Sequence, residues 1–542
     1  GYPKFTAHLW MAVRGGGLAA QSYAPCEVLW RAGQTRIRLT VQGDYPTQER
    51  VRIRLKMEGE ARFPILLRIP GWSEGAHAEV AGERLEGTPG QYLRLERVWG
   101  DGDEIELPET GAGAILTQSA APPRVQPGRT GCAAAVDLGT TTVAVRLYDR
   151  ADGCALGTDA AWNAQAAYGA DVISRIQYTL ERADGLRELS ERIRAQVWAL
   201  IRGLLKKAGR GKGDLREVVL AGNTAMQLLF TGHSVRGLAA APFLPETLFR
   251  GDAEDALEGI PLRLVPCIAG YVGGDITAGL LASGLAGRPG RVLFLDAGTN
   301  GEMALGGRGG FLCCSVAAGP AFEGAGIACG MPGLPGAVSH VVWRGGFLMD
   351  VIGGGAPRGL CGSGLVDLAA VLLHLGAITP AGRLLPPEEA PAALRPRLRV
   401  DEAGGARFYL TPEVYLTAAD VRALQLAKAA VAAGIRVLAA RSGTAFGEIE
   451  GLYLAGGFGA WLSPESAIAI GMLPRALAGR IHGLGNTSLA GASMLALDGA
   501  ARQQAAHIAG SCRYAELSGQ QDFADAFAAG MAFDELTDGG MN

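Results

Sequence analysis

The stretch "AAAVDLGTTTVAV", residues Ala133–Val145, is an apolar run that ends in an aspartate, a glycine and three threonines. A second stretch, "VLFLDAGTNGEMAL", residues Val292–Leu305, has the same plan, and its Asp296 lies 159 residues after Asp137. Each apolar run predicts a central β-strand, and each polar group predicts the turn that follows it. A single copy is also typical of an ordinary β-hairpin with a polar tip. Two copies at the spacing of a domain favour a duplicated ligand-binding turn.

The residue types of these turns suit phosphate and a hydrated divalent cation. Glycine lets the backbone come close to a ligand, and the amides and hydroxyls that follow can donate hydrogen bonds to phosphate oxygens. The aspartate is suited to binding a hydrated Mg²⁺ rather than the anion. The candidate residues of the first turn are Asp137, Gly139, Thr140 and Thr141, and those of the second turn are Asp296, Gly298, Thr299 and Asn300.

A third turn, "LAGGFGAW", is rich in glycine and contains Gly456, Gly457 and Gly459. It follows an apolar strand and precedes Ser463, a predicted helix start. Bare backbone at this point would let an adenine or a ribose lie against it, although a tight strand-to-helix turn without a ligand explains the same pattern. Neither a P-loop nor a dinucleotide-binding glycine fingerprint is present in the sequence.

The composition indicates a multi-domain globular protein. The chain has 542 residues, of which 48% are hydrophobic and 19% charged, and its formal net charge is −3. We therefore expect no nucleic-acid partner, and because no run of 18 uncharged apolar residues occurs, we expect no membrane partner. None of the nine cysteines stands in a C-x-x-C pair or at ferredoxin-like spacing. We expect reduced thiols in a cytoplasmic protein and no intrinsic iron–sulfur cluster.

The chain divides into four predicted segments. Residues 1–108 contain runs that alternate apolar and charged residues, such as "ERVRIRLKM", and predict an all-β sandwich. Residues 109–131 are rich in Pro, Gly and Ala and predict a linker. Alternating strand and helix patterns follow, and we expect one α/β lobe over residues 132–290 and a second over residues 291–542.

The second part of the chain resembles a known family through many motifs. "VDLGTTTVAV", "NAQAAYGADVISRI", "AGNTAMQ", "LDAGTNGEMAL", "AAGPAFEGAGIACGM", "LAGGFG" and "GNTSLAGAS" together resemble the reductive activators of corrinoid iron–sulfur proteins over residues 132–537. The resemblance implies a two-lobed, ribonuclease-H-like ATPase fold, as in actin, sugar kinases and heat-shock chaperones. It also implies that ATP and Mg²⁺ are used to return a partner's corrinoid from Co(II) to Co(I). Carried over by motif, Asp137 and Asp296 would be the catalytic, Mg²⁺-positioning carboxylates, and the three turns would bind the nucleotide.

Residues 1–108 resemble a different family, the β-L-arabinofuranosidases, in the phrases "FPILLRIPGW" and "GQYLRLERVWGDGDEIELP". That family carries its catalytic residues in a helical barrel, so we expect this sandwich to be non-catalytic. The corrinoid activators usually carry a ferredoxin-like domain at this position. We therefore expect an external low-potential electron donor, in addition to a corrinoid (iron–sulfur) protein as partner. A homodimer is left open.

Two other functions remain alternatives. A small-molecule kinase on the same fold would need a catalytic aspartate facing a polyol pocket, and no sugar-kinase signature stands out in the sequence. A carbohydrate-active or carbohydrate-binding protein led by the sandwich is the second alternative.

Three further residues have weaker interpretations. In "GDITAG", Asp275 stands at a predicted helix start, where capping alone would explain it. In "GLCGSGL", Ser363 is expected to be a simple N-cap rather than part of an anion site. In "AAGPAFEG", Glu323 is the one acid of a rigid segment that either faces the nucleotide or partner or forms a buried glycine-rich crossing.

Overall fold

The structure is a computed structural model of the chain. It describes residues 10–13, 16–20, 26–33, 35–42, 50–69, 77–81, 83–88, 91–108, 129–251, 255–402, 404–459 and 461–538. The chain forms two compact units, residues 1–121 and 122–542. Most of the predicted linker, residues 109–128, lies outside the described residues.

The first unit is a β-sandwich, as the sequence predicts. One sheet has the strand order β1-β2-β6-β9 and the other has the order β3-β4-β5-β10-β7-β8. Its strands are β1 Trp10–Ala12, β2 Leu18–Ala20, β3 Cys26–Ala32, β4 Thr35–Gln42, β5 Arg50–Met57, β6 Ala61–Arg68, β7 His77–Val80, β8 Glu83–Glu86, β9 Tyr92–Trp99 and β10 Glu104–Pro108.

The predicted alternation in β5 is confirmed. Val51, Ile53 and Leu55 are buried in a core shared by both sheets, whereas Arg52 and Arg54 between them are exposed. Successive side chains of a strand point to opposite faces, so every second residue enters the core. Each fully buried aliphatic side chain stabilises the sandwich by about 1.5–3 kcal/mol relative to exposure.

The second unit begins with a mixed six-stranded sheet, which we call the first sheet, in the order β13-β12-β11-β14-β16-β15. Its elements are β11 Cys132–Leu138, β12 Thr142–Asp149, β13 Ala155–Trp162, α1 Val172–Glu181, α2 Gly185–Lys207, β14 Leu215–Gly222, α3 Thr224–Thr231, β15 Asp255–Leu257, β16 Ile260–Leu264 and α4 Gly274–Ala282.

A second six-stranded sheet follows in the order β27-β26-β17-β18-β19-β28. Two small sheets, β21-β20-β22 and β23-β24-β25, are formed by residues between β19 and β26 in the chain. The elements are β17 Val292–Ala297, β18 Asn300–Gly307, β19 Gly310–Ala317, β20 Ala337–Trp343, β21 Phe347–Val351, β22 Gly359–Leu360, α5 Gly362–His374, β23 Leu398–Val400, β24 Ala406–Tyr409, β25 Tyr415–Thr417, α6 Ala418–Arg441, β26 Gly451–Ala455, α7 Gly456–Gly459, α8 Pro464–Ala469, β27 Ile481–Gly485, α9 Thr487–Leu497, α10 Gly499–Ser511, β28 Arg513–Tyr514 and α11 Gln521–Ala529.

The two large sheets share one internal plan. In each, three consecutive antiparallel strands, β11-β12-β13 or β17-β18-β19, are followed by a 3₁₀ turn, Ala164–Ala167 or Pro320–Glu323. On its other side the first of the three strands pairs in parallel with β14 or β26. The repeated sequence pattern therefore corresponds to a repeated topology.

Helix α6 begins at the predicted N-cap. The Thr417 hydroxyl accepts a hydrogen bond from the Asp420 amide, and the Asp420 carboxylate accepts one from the Thr417 amide. Among the described residues, α6 is the one helix that is both long enough and apolar enough to cross a membrane. However, 78% of its most apolar 18-residue segment is buried inside the protein. This burial is typical of a core helix.

The start of α5 differs from the prediction for Ser363. The N-cap is Cys361, and no side chain caps the helix there. Ser363 lies inside the first turn, and its hydroxyl donates to the Ser339 carbonyl of β20 at 2.8 Å. The N-cap prediction is wrong because the N-cap, Cys361, lies two residues before Ser363, so the Ser363 hydroxyl points to the neighbouring strand.

Helices α4 and α9 cross at very short range. A Cβ on Gly491 would lie 2.3 Å from the Ala278 carbonyl oxygen, and a Cβ on Gly279 would lie 2.9 Å from the Thr487 hydroxyl oxygen of α9. Only glycine allows this approach. Helix α9 also packs on β11 and β14 of the first sheet, although it follows the second sheet in the chain. This packing places the start of α9 at the end of β11.

We predict that deleting residues 1–121 leaves the second unit folded, because the two units have separate hydrophobic cores. The helical circular-dichroism signal should melt at the same temperature as in the full chain, and the dissociation constant for ATP should not change. A lost helical transition would show that the second unit depends on the sandwich.

Candidate functional site

The first predicted turn connects β11 to β12. The Gly139 amide donates to the Thr142 carbonyl at 2.9 Å, which closes the turn and leaves the Thr140 and Thr141 side chains at its tip. The arrangement is a hairpin, and the same is true of the second turn. The hairpin geometry is therefore compatible with both sequence interpretations and does not decide between them.

Side chains from three other segments hold the first turn from behind. The side-chain amide of Asn163 donates to the Gly139 carbonyl at 2.8 Å, and the guanidinium of Arg175 donates to the Thr140 carbonyl at 2.6 Å. Asn223, the N-cap of α3, donates to the Thr140 hydroxyl at 3.0 Å. Burial lowers the pKa of Arg175 to about 10, so it remains charged at neutral pH. These contacts give the motifs "NAQ" and "AGNTAMQ" a structural role in fixing the turn.

The second turn is similar but one residue shorter. The Gly298 amide donates to the Asn300 carbonyl at 2.8 Å, and the Thr299 carbonyl accepts from the Gly319 amide at 2.9 Å. In the first turn the Thr141 carbonyl accepts from the backbone amide of Asn163, also at 2.9 Å. Each turn is thus tied to the segment that follows the third strand of its own sheet.

The third turn reaches the second one. Gly456 has a left-handed φ of 80°, and a Cβ there would lie 2.5 Å from Oδ1 of Asp296. Gly457 is exposed, and a Cβ on it would meet nothing within 4 Å, whereas Gly459 packs closely on Leu454. Bare backbone at Gly456 is required for Asp296 to keep its position.

Asp137 is bound by the start of α9. The Asn486 amide donates to its Oδ2 at 2.7 Å, and the Ser488 hydroxyl donates to its Oδ1 at 2.7 Å. Burial raises the pKa of Asp137, and these two hydrogen bonds oppose the rise because they stabilise the carboxylate. The two donors hold the carboxylate in one orientation.

Four half-buried carboxyl groups converge in this region: Asp137, Asp275, Asp296 and Glu302. Burial raises the pKa of Asp296 to about 7, with a further contribution from the charge of Asp137. Burial and the charge of Asp296 together raise the pKa of Asp275 to about 7. Burial also raises the pKa of Glu302, and the charges of Asp275 and Asp296 add to that rise. Burial, with charge repulsion for three of the four acids, therefore disfavours several negative charges at this site at once.

Asp275 therefore has more than the capping role expected for it. The N-cap of α4 is Gly273, and Asp275 lies in the first helical turn. Its carboxylate accepts from the adjacent Ile276 amide at 2.9 Å and faces the other acids of the site.

Glu323 connects the two turns. Its Oε1 accepts a hydrogen bond from the Thr141 hydroxyl at 3.2 Å, and its Oε2 accepts one from the Thr299 hydroxyl at 2.8 Å. Thr141 belongs to the hairpin of the first sheet and Thr299 to that of the second sheet. The two predicted phosphate turns therefore face one another across a distance that one carboxylate spans.

The acidic group suits a hydrated Mg²⁺. Among the described residues, no three His, Cys, Asp or Glu side chains are arranged to hold a metal ion by themselves. Protein-bound Mg²⁺ commonly uses one or two carboxylates and completes its octahedron with water and phosphate oxygens. Asp137 and Asp296, at the ends of the two equivalent strands, could supply such carboxylates.

The predicted residues of all three turns thus lie at one site, together with several residues that the sequence motifs did not identify. Glu302 could have been found, because the hairpin register pairs it directly with Asp296. Asn486 and Ser488 could not have been found by local reasoning, since Asn486 also reads as an ordinary N-cap and is one for α9.

Comparison with family models divides the chain into three matched regions. The model described as the C-terminal domain of RACo, the ASKHA domain, matches residues 291–539, and the model of the RACo middle region matches residues 132–288. Residues 17–108 match the middle domain of the GH127 β-L-arabinofuranosidases.

Two curated relatives and one solved structure match the same part of the chain. "Corrinoid activation enzyme RamQ" of Eubacterium limosum is 36% identical over 385 residues, which are 67% of this chain and 64% of the relative. The "[Co(II) methylated amine-specific corrinoid protein] reductase" of Methanosarcina barkeri is 28% identical over 308 residues, 53% of this chain and 52% of the relative. The structure of a "Reductive activator for corrinoid,iron-sulfur protein" has a TM-score of 0.67 and 36% identity, and the match covers 75% of this chain and 67% of that chain. This chain thus spans just under two thirds of the first curated relative and about half of the second.

We predict that Asp275→Asn stabilises the second unit most above pH 7 and clearly less at pH 5. An aspartate whose folded pKa is about 7, against an ordinary 3.8, stays protonated in the folded state after the unfolded chain has released its proton. Its contribution to stability therefore falls as pH rises from about 4 to 7. Asparagine keeps the hydrogen bond from the Ile276 amide without a charge.

Melting of the helical circular-dichroism signal at pH 5 and pH 8.5 measures this effect. At pH 8.5 the variant should melt higher than the unchanged protein by on the order of 5 °C. The exposed Asp152→Asn serves as the control and should melt like the unchanged protein at both pH values. An equal shift for Asp275→Asn at both pH values would contradict the assignment.

Proposed function

This chain belongs to the family of corrinoid reductive activators that the two RACo models describe, and from that premise we propose that it is an ATP-dependent activator of a corrinoid protein. In this role it helps to return the partner's cobalt from Co(II) to Co(I), using an electron from an external donor. The observation that carries the proposal is the convergence of Asp137, Asp296 and the glycine turn 456–459 at one site.

The three turns divide the binding of ATP among them. The phosphates would lie between the first and second turns, where the Thr141 and Thr299 hydroxyls can donate to their oxygens. The adenosine would lie against Gly456, Gly457 and Gly459. Mg²⁺ held near Asp137 and Asp296 would neutralise the phosphate charge and the acidic group together.

The remaining nucleotide-turn residues have positions that suit this division. Gly139 and Gly298 close the two hairpins, and the Thr140 hydroxyl is already oriented by Asn223. Asn300 begins β18 and accepts from the Gly298 amide through its backbone.

Contacts between the first sheet and the helices that follow the second sheet in the chain supply the means of changing the grip on a partner. Asp137 of the first sheet binds the start of α9, and Glu217 of β14 forms an ion pair with Arg502 of α10 at 2.6 Å. Nucleotide at Asp137 would alter the first of these contacts, and α9 would transmit the change through its close crossing with α4. A ligand shifts such an equilibrium by its differential affinity for the two states.

The physical task of the activator is to make an unfavourable reduction easier. Each tenfold preference for the Co(I) form of the partner over its Co(II) form is worth about 1.4 kcal/mol and raises the one-electron potential by about 59 mV. A protein that binds the Co(I) form more tightly in one nucleotide state therefore favours reduction in that state.

We propose an external low-potential donor because none of the nine cysteines has ferredoxin-like spacing. The described cysteines are free thiols, and most of them are buried. For the sandwich we propose a non-catalytic role, and for the whole chain a cytoplasmic location. Self-association into a homodimer stays open to measurement.

We predict that Asp137→Ala and Asp296→Ala each lower Mg·ATP turnover by about 10²–10³-fold, because each removes a carboxylate that positions the metal against the phosphates. Phosphate release measures turnover, and an unchanged circular-dichroism spectrum shows that each variant is folded. Full turnover in both variants would mean that the paired turns are only structural.

The partner reaction has its own test. A corrinoid protein in the Co(II) state is mixed with this protein, and cobalt absorbance is recorded with and without ATP and with and without titanium(III) citrate. We predict Co(I) formation that is accelerated by ATP and requires the reductant. ATP hydrolysis without any acceleration, for every corrinoid protein tried, would contradict the activator role.

A further inference from the structure

Glu323 lies between the two phosphate-type turns of the candidate site and contacts both of them. Its carboxylate accepts hydrogen bonds from hydroxyls of both phosphate-type turns, Thr141 at 3.2 Å and Thr299 at 2.8 Å. Those two hydroxyls are the donors proposed for phosphate oxygens. The carboxylate therefore lies beside the point where the phosphate chain of ATP would pass between the turns.

The segment around Glu323 is built to hold this position. It is a 3₁₀ turn, Pro320–Glu323, between Gly319 and Gly324, and both glycines have a φ of 79°. The Gly319 amide ties it to the second turn through the Thr299 carbonyl. Left-handed backbone on both sides is favourable only for glycine, so the bend is encoded by the residues themselves.

The same segment is anchored to the third turn and to a buried helix. The ring of Phe322 stacks on that of Phe458, with centroids 4.5 Å apart and planes 15° apart. Behind it, a Cβ on Gly362 would lie 2.0 Å from the Phe322 carbonyl oxygen, so the start of α5 closes against the segment. Glu323 is thus fixed relative to all three nucleotide turns.

A fixed carboxylate beside the terminal phosphate has a specific use. When phosphate oxygens accept from Thr141 and Thr299, the carboxylate of Glu323 loses these two donors and is left with acceptor capacity next to the phosphorus. Water is the donor available there. A carboxylate in this position can orient a water molecule in line with the bond to be broken and accept its proton.

We propose that Glu323 is a catalytic residue that orients and deprotonates the water attacking the terminal phosphate of ATP, an inference that rests on the proposed ATPase function. The water oxygen forms a bond to the terminal phosphorus, and the bond between that phosphorus and the bridging oxygen breaks. ADP leaves with the bridging electron pair. The proton passes from the water to Glu323 and then to solvent or to the released phosphate.

The test is Glu323→Gln in the full chain, with the turnover number and the ATP dissociation constant measured separately. Glutamine keeps the size of the side chain but cannot take the proton. We expect turnover to fall by about 10²–10⁴-fold. ATP should bind as tightly as in the unchanged protein or more tightly, because a negative charge beside the phosphate has been removed.

Glu323→Asp and an exposed control, Glu388→Gln, complete the set. Aspartate keeps the base at a shorter reach and should recover part of the turnover, whereas the control should match the unchanged protein. A purely structural bridge predicts the opposite for Glu323→Gln, with turnover retained or turnover and binding lost together, and either result would overturn the inference. Absence of turnover in the unchanged protein would instead contradict the proposed ATPase.

Discussion

The mutual repulsion of four carboxyl groups is the constraint on which the rest of this structure depends. Asp137, Asp275, Asp296 and Glu302 lie together where two sheets meet; burial raises the pKa of each, and the charge of neighbouring acids adds to the rise for Asp275, Asp296 and Glu302. Such a cluster is unfavourable unless hydrogen bonds and a cation offset it. Asn486 and Ser488 at the start of α9 supply hydrogen bonds to Asp137, and bound Mg²⁺ would supply the cation. Gly491 lets α9 approach α4, the helix that carries Asp275.

This electrostatic arrangement links nucleotide chemistry to the shape of the protein. Groups from later in the chain hold the first turn: Asn486 and Ser488 bind Asp137, and Glu323 binds Thr141. A nucleotide that binds the same carboxylates and hydroxyls must compete with these contacts or rearrange them. The energy of nucleotide binding is therefore available to shift the two sheets relative to one another, which is the means by which an activator can favour one oxidation state of its partner.

Much of this architecture could be predicted from local sequence, because strand alternation, strand-to-turn transitions and N-caps depend on neighbouring residues. The hydrogen bonds of Asn223 and Thr417 at their helix starts are examples. The position of Glu302 could be predicted from the hairpin register alone, because that register pairs it with Asp296. Asn486 and Glu323 required tertiary structure, since their partners lie 349 and 182 positions away in the chain. Ser363 was assigned wrongly because a cap depends on where the helix begins, and packing against β20 decides that point.

The central claim is that this protein alters the reduction of a corrinoid through its nucleotide state, and the cobalt midpoint potential tests it most directly. Spectroelectrochemical titration of a corrinoid protein in complex with this chain can be performed with ATP and with ADP under otherwise identical conditions. We predict a Co(II)/Co(I) potential that is less negative with ATP, by about 59 mV for each tenfold preference for Co(I). The same potential with both nucleotides, equal to that of the corrinoid protein alone, would contradict the account.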